Sequence, residues 1–505
     1  MAPQKRKAFR WLAVSLSLIA GLMPAWTAQK QSKKDKAQEA RPARLVRMDV
    51  VALDSSGLPV TDLRESDFQV FDNGKRQTVV FARLNGRKRE QLTVLDSREC
   101  SNRTGPALPP ATVILFDLMN ERVLTDAFGR NEIIQVLQGL EQSNGLYLYI
   151  LTNTGGILPI HPLMNPEADT EVDDTHWTRQ IQPLLDGVLR KIFGLRPVDD
   201  HDPGIRFEST VQALSGMGAQ LSVVPGRKAL VWITHGVPIN IPDVGGLPID
   251  MSPTLHRLTA ALEQNRIAVY SVQQSEQGAG ADVASLTRDT LRQMSSLTGG
   301  RAYSSDAVDE AITQARTDAR ANYTVGYFPS IQTWNGKYHK IRIATTRTGI
   351  HFTAKQGYYA FAEPTPMDQE QATLGMAASS PFDSPEIGLR ATVSAADDAS
   401  QGIRVHIRID PDDLLLVPRG NQYTGSLLVA VQYDSAETEP GFVSRSDREP
   451  RAFPVELNLT PEQRSKAIQE GIAVDVATGG QPHKVRVIVL DRNLHEYGTL
   501  TIPLQ

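Results

Sequence analysis

The hydrophobic pattern of this chain changes its period twice. From Arg44 to Leu84, apolar and polar positions alternate in "RLVRMDVVALD" and "FQVFDNGKRQTVVFARL", with "SSGLPV" between them. Alternation at period two predicts half-buried β-strands. Asp72-Asn73-Gly74 predicts a hairpin, because Asn and Gly tolerate positive φ. From Ala111 the apolar runs become continuous: "ATVILFD", "LYLYILT", "KALVWITHG" and "RIAVYSVQ". Such runs predict strands buried on both faces. Helical spacing marks Ile133, Val136, Leu137 and Leu140, then "TLHRLTAALEQN", "LTRDTLRQMSSLTGG" and the stripe Val308, Ala311, Ile312, Ala315. Gly299 and Gly300 suit a helix C-cap. With "RAYSS" and "NYTVGYF" there are six strand-like runs interleaved with helices. That order predicts a doubly wound, Rossmann-like α/β domain with right-handed crossovers. Past Asn335-Gly336, "YHKIRIATT" and "IHFTAKQGYYAF" return to β spacing. Seven Val- and Ile-rich alternating runs then fill residues 386–505, with one helix in "TPEQRSKAIQEG". They predict a β-sandwich of the Ig or fibronectin kind.

These changes of pattern divide the chain. Residues 44–100 form a small β domain, 108–330 the α/β domain, 331–362 a β extension, 363–385 a linker by composition and 386–505 the β-sandwich. The small β domain is short for independent stability and is expected to pack on its neighbour. Ahead of it, Lys5, Arg6, Lys7 and Arg10 precede "WLAVSLSLIAGLM" and "PAWTA". A basic n-region, a short apolar h-region and small residues predict a secretory signal peptide over 1–28. Trp26 stands three places before a cut after Ala28, so an uncleaved N-terminal membrane anchor is the alternative. Residues 29–43 are polar and basic and read as a flexible tether. The expected location is therefore outside the cytoplasm: periplasmic, cell-envelope or secreted. Cys100 is the only cysteine of 505 residues, so burial, not intrachain disulfides, must hold the domains. It reads as an unpaired thiol in a connecting segment.

Net charge is −4, which gives no electrostatic case for a nucleic-acid partner. The chain carries no G-x-S-x-G, no P-loop, no H-E-x-x-H and no complete G-x-G-x-x-G. A single Cys excludes zinc clusters of three or four thiolates. The expectation is a non-enzymatic protein. Arg227 and Lys228 in "GRKALVW" read as a solvated edge, and Trp232 reads as core. The acidic segment 153–205 reads either as a lid-like surface or as a plain surface excursion.

The best candidate site lies where strands end, since open α/β sheets bind ligands there. "VILFDLMN", "KALVWITHG", "RIAVYSVQ" and "MSSLTGGRAY" resemble the von Willebrand factor A domain. The closer resemblance is to the acidobacterial VWFA-related group, which places V-x-V-x-D-x-x-G-x-P-V-x-x-L-x-x-x-D-F-x-V-x-x-x-G ahead of the A domain. Here that stretch is "VVALDSSGLPVTDLRESDFQVFDNG", Val50 to Gly74, departing at Ala52. The resemblance covers about residues 45–360. It implies an A-type α/β domain that binds protein partners, in the family through Mg²⁺ or Ca²⁺ held by Asp-x-Ser-x-Ser, a later Thr and a further Asp.

Matched residue by residue, Asp117 takes the first place of that motif, while Met119 and Glu121 take the two Ser places. The Thr place falls among Glu208, Ser209 and Thr210, and His235 takes the last Asp place. Met119 is a soft, weak ligand for a hard cation. The residues leave three readings open. The first is a metal-independent binding edge of Asp117, Asn120, Glu121, Glu208, Ser209, Thr210 and His235. In it Asp117 bonds loop backbone and Asn120 caps the next helix. The second is divalent-cation-dependent adhesion through Asp117. The third is a metallohydrolase built on Asp117, Glu208 and His235. The first is preferred: a protein partner in the envelope or outside the cell, and no cofactor.

Overall fold

The computed structural model describes residues 44–85, 99–104, 110–120, 138, 145–152, 154–161, 163, 203–236, 239–242, 247–274, 281–304, 307–320, 322–330, 334–362, 366–395, 402–433, 450–478 and 482–504. The expected signal peptide and tether lie outside them. So do Glu121, all but Gln138 of the expected helix at 133–140, and most of 153–205.

A six-stranded sheet runs in the order Ala302–Ser304, Ile267–Gln273, Lys228–Thr234, Thr112–Asp117, Leu146–Leu151, Ile157–His161. The first five strands are parallel, and Ile157–His161 closes one edge antiparallel to Leu146–Leu151. Every residue of Lys228–Thr234 is buried, as expected of a strand covered on both faces. Side chains alternate across the sheet. Val113, Leu115, Leu230, Trp232 and Val269 meet the helices Pro203–Ser222, Ser252–Gln264 and Ala281–Thr298 through Phe207, Leu214, Met217, Leu255, Leu262, Leu291 and Met294. Ile114, Val231, Ala268 and Tyr270 face the other way, onto the predicted stripe Val308, Ala311, Ile312, Ala315 of the helix Val308–Arg320. At the end of Ala281–Thr298 the chain turns so tightly that a Cβ on Gly300 would lie 1.9 Å from the Val269 carbonyl oxygen. No larger residue fits there without moving the strand.

"NYTVGYF" does not extend this sheet, contrary to expectation. Asn322–Tyr327 is an inner strand of a four-stranded antiparallel sheet ordered Ile350–Ala354, Val46–Asp54, Asn322–Tyr327, Val79–Leu84. The physical reason is its alternation. Tyr323, Val325 and Tyr327 enter an apolar core with Val46, Met48, Val50, Phe68 and Val70, while the intervening Thr324 bonds Asp49 and Arg266. A second antiparallel sheet, Gly357–Tyr359, Tyr338–Thr345, Phe68–Asp72, Lys75–Gln77, completes this layer. Its hairpin turns at Asn73 and Gly74, with φ of 47° and 80°. A few N-terminal strands cannot bury a core alone. Strands from 322–359 supply the rest.

The C-terminal region is β-rich. A sheet of Ile472–Ala477, Ile403–Ile409, Leu389–Ala395 and Cys100–Ser101 faces another in which Gln422–Tyr433 pairs with Val417–Arg419, Arg451–Leu459 and Lys484–Asp491, which in turn pairs with Glu496–Pro503. Leu389, Val405 and Ile407 from the first share one core with Leu427, Val429, Val487 and Leu500 from the second. Thr460 and Gln463 form a reciprocal capping box on the helix Pro461–Glu470. Cys100, expected in a connecting segment, is a half-buried strand residue opposite Ala391. The expected linker 363–385 holds the helix Pro366–Ser379, whose Leu374 and Ala377 pack on Ala430 and Ile488. Composition pointed to a linker, but two apolar residues three apart suffice to dock a helix face. The described residues of Arg44–Gln505 belong to one compact unit.

Candidate functional site

Thr112–Asp117 delivers its last side chain to the carboxyl edge of the parallel sheet, where Lys228–Thr234 ends beside it. Asp117 is 3% exposed. Its Oδ1 accepts the backbone N–H groups of Met119 at 3.0 Å and Asn120 at 3.1 Å, which folds the chain back after the strand. Its Oδ2 accepts from Asn120 Nδ2 at 2.8 Å, Trp232 Nε1 at 3.1 Å and Thr234 Oγ1 at 2.7 Å. A carboxylate offers about four lone-pair sites, and these contacts fill them. Burial pushes the Asp117 carboxyl upward, against the lowering effect of the bonds from Asn120 and Thr234.

Asn120 links this carboxylate to the neighbouring helix. Its Nδ2 also donates to Thr210 Oγ1 at 3.0 Å, and Thr210 donates in turn to the Arg206 carbonyl at 2.8 Å. Thr234 Oγ1 accepts from the Gly236 N–H at 2.8 Å. Of the residues singled out in sequence, Asp117, Asn120 and Thr210 thus converge. Glu208 does not. It is exposed, and two positions along a helix from Thr210 it projects from nearly the opposite face. Ser209 is half-buried, and its Cβ would lie 3.7 Å from a Cβ on Gly155. His235 is half-buried next to Thr234, but Thr234 makes the bond to Asp117. The trio Asp117, Glu208 and His235 is therefore not gathered around one point. Among the described residues, no group of three or more His, Cys, Asp or Glu could hold a metal ion. The expected Asn120 helix cap rests on residues beyond 120, outside the described set. Sequence reading missed the parts played by Trp232 and Thr234. The only signal for them was their place at the end of the strand beside Asp117.

A second polar cluster occupies the opposite end of the same strands. Arg227 and Lys228, expected as a solvated edge, are 4% and 3% exposed. Arg227 donates to the Gly299 carbonyl at 3.0 Å, and Lys228 Nζ to the Val224 carbonyl at 2.9 Å. Arg266 pairs with Glu386, with Asp49 at 3.2 Å and with Glu496 at 3.8 Å. Arg83 also pairs with Glu496, and Arg47 reaches it at 3.4 Å. Burial works to raise the Asp49 carboxyl, but the Arg266 and Arg227 guanidiniums outweigh it and hold it at about 2. Burial, reinforced by the Arg266 charge, pushes the Lys228 ammonium down to about 7. The cluster stayed hidden in the sequence because its members come from positions spread between 47 and 496.

No family model matches the chain, and no curated protein matches it. Among solved structures it is similar to the human COPII-coat protein Sec24c, at 12% identity and a TM-score of 0.24, over 54% of this chain and 48% of that one. It is also similar to the pilus adhesin SpaC from Lactobacillus rhamnosus GG in its open conformation, at 10% identity and a TM-score of 0.28, over 89% and 57% of the two chains. A further form of SpaC aligns at 9% identity and a TM-score of 0.27, over 79% and 54%. The chain thus spans about half the length of each. At such scores the likeness carries no argument about function.

Proposed function

We propose that the chain is an exported, non-enzymatic protein-interaction or adhesion protein built around a doubly wound von Willebrand factor A-like domain, and that its strand-end site works without a metal ion. The carrying observation is the Asn120 amide. Its two N–H groups reach the Asp117 carboxylate and the Thr210 hydroxyl, where the resembling family uses a cation to join an Asp and a Thr. A neutral amide takes over that bridging; the same Oδ2 of Asp117 also accepts the indole and hydroxyl donors, and its Oδ1 accepts the backbone donors. The parallel sheet with helices on both faces supports the A-type reading. The basic and apolar N-terminal pattern supports export, to the periplasm, the envelope or the medium.

The test is titration calorimetry of the protein with Mg²⁺, Ca²⁺, Mn²⁺ and Zn²⁺, beside a pull-down from envelope extract with and without chelator. The expected result is no heat at millimolar metal and a retained protein partner unaffected by chelator. Binding heat abolished in Asp117→Ala would instead establish the divalent-cation reading. One observation favours that alternative: Asn120 Oδ1 is buried without a hydrogen-bond partner among the described residues. The metallohydrolase reading has no comparable support, since Glu208 is exposed away from Asp117. Robust hydrolytic turnover would restore it.

A further inference from the structure

The sheet Gly357–Tyr359, Tyr338–Thr345, Phe68–Asp72, Lys75–Gln77 buries one face and turns the other to solvent. Phe68, Val70 and Ile341 enter the core, so the alternate positions Phe71, Lys340 and Arg342 point outward. The register sets Arg342 opposite Phe71, and Phe71 opposite Arg76. We propose that this face binds an extended acidic peptide segment of a partner protein, laid along Tyr338–Thr345 with alternate carboxylates on Lys340 and Arg342. The face belongs to a different layer from the Asp117 edge, so the proposal goes beyond the function given above and stands whether or not that edge binds.

Charge selects the sign of the partner. The outward positions of these strands hold the exposed cations Arg76, Lys340 and Arg342 and no carboxylate. The whole chain carries a net charge of −4, so a basic face without an acid runs against its composition. Among the described residues, none of these three side chains makes an ion pair or a hydrogen bond. Arg347, past the end of the same strand, does pair, with Asp62 at 2.9 Å. A face whose cations are left unmatched is complementary to an acidic partner.

Geometry selects its form. Lys340 and Arg342 stand two residues apart on one strand, about 6.7 Å. Alternate side chains of an extended peptide repeat at the same interval, so two of its carboxylates meet both cations at once. The Arg342 guanidinium lies 3.8 Å over the Phe71 ring. That contact holds the group in place without using its N–H donors and leaves them for a carboxylate. The rings that bases would stack on are engaged, Phe71 under Arg342 and Tyr359 against His256 with centroids 3.8 Å apart. Tyr338 is 42% exposed, and a single open ring is a poor platform for a nucleic-acid strand, which stacks successive bases on several.

The test uses the full chain and fluorescence anisotropy of two labelled seven-residue peptides of Glu and Thr, each with three Glu. One has Glu at its second, fourth and sixth positions, on one side of an extended chain. The other has Glu at its first, fourth and seventh positions, on alternating sides. The expected result is saturable binding, about tenfold tighter for the first peptide. Lys340→Gln and Arg342→Gln should each raise its Kd about tenfold, and Arg342→Lys should not restore the loss, because an ammonium lacks the fork. Arg347→Gln should leave Kd unchanged, and so should Asp117→Ala, which separates this face from the strand-end site. Equal affinity for the two peptides, or an equal loss in Arg347→Gln, would mean attraction by charge alone and overturns the proposal. No binding at millimolar peptide, or tighter binding of an oligothymidylate of equal charge, overturns it as well.

Discussion

At the residue scale, Asp117 and Asn120 act as a pair. Asn120→Ala removes the amide bridge between Asp117 and Thr210 and leaves buried polar atoms short of partners. Its expected cost is about 1–3 kcal/mol, read as a lower midpoint in urea with an unchanged slope. Asp117→Ala should in addition strip the Trp232 indole of its acceptor, with a shift in tryptophan emission that Asn120→Ala does not share. Lys228 governs a pH response. Its folded value of about 7 lies below its ordinary 10.5, because burial and then Arg266 disfavour the charged form, while Glu386 and Asp49 only partly offset this. A depressed folded pKa contributes stability that is present above 10.5 and is lost as pH falls through 7. Lys228→Met should therefore abolish the rise in denaturation midpoint between those two pH values, and a persistent rise would assign it elsewhere.

At the element scale, the strand Phe68–Asp72 and its hairpin depend on a buried hub. Asp72 accepts from Tyr327 at 2.9 Å and from Tyr358 at 3.0 Å, and contacts His339 Nδ1 at 2.8 Å. Three strands thereby converge on one carboxylate, and burial together with the Asp72 charge raises both phenols. Asp72→Ala is expected to cost about 1–3 kcal/mol from the groups it orphans. Hydrogen exchange should then rise in 68–77 and 322–327 before it rises in 112–117. The helix Pro366–Ser379 offers a second test. Leu374→Ala removes the side chain that docks the helix onto Ala430 and Ile488 and should cost about 2–3 kcal/mol, whereas an undocked linker would tolerate it.

At the scale of the whole molecule, the buried charges at the amino ends of the parallel strands join regions distant in sequence. Glu496 belongs to the C-terminal sheet and is 1% exposed, yet it pairs with Arg47 and Arg83 of the N-terminal sheet and with Arg266 beside the α/β layer. Removing one partner of a buried ion network leaves uncompensated charge and costs about 3–5 kcal/mol. Glu496→Gln should lower the midpoint accordingly and split urea unfolding into separate transitions. A single undiminished transition would mean that the regions cohere through apolar contact alone.

Strand and helix periods were legible because each reports a local choice between burial on one face and burial on two. That is why the buried runs of 112–151 and 228–273, the Asn73-Gly74 hairpin and the seven C-terminal strands could be read from residues alone. Asp117 was legible for the same reason: it ends an apolar run where ligand-binding edges form. Pairing between distant segments was not legible. Nothing local in "NYTVGYF" says that its partners are Val46–Asp54 and Val79–Leu84, and nothing in "CS" at 100–101 points to Leu389–Ala395. The same limit hid Trp232 and Thr234 as groups that occupy Asp117, and Arg227 and Lys228 as buried cations. Periodicity records which face of an element is buried. Only the assembled structure decides which neighbour covers that face, and whether a charge there meets solvent or another charge.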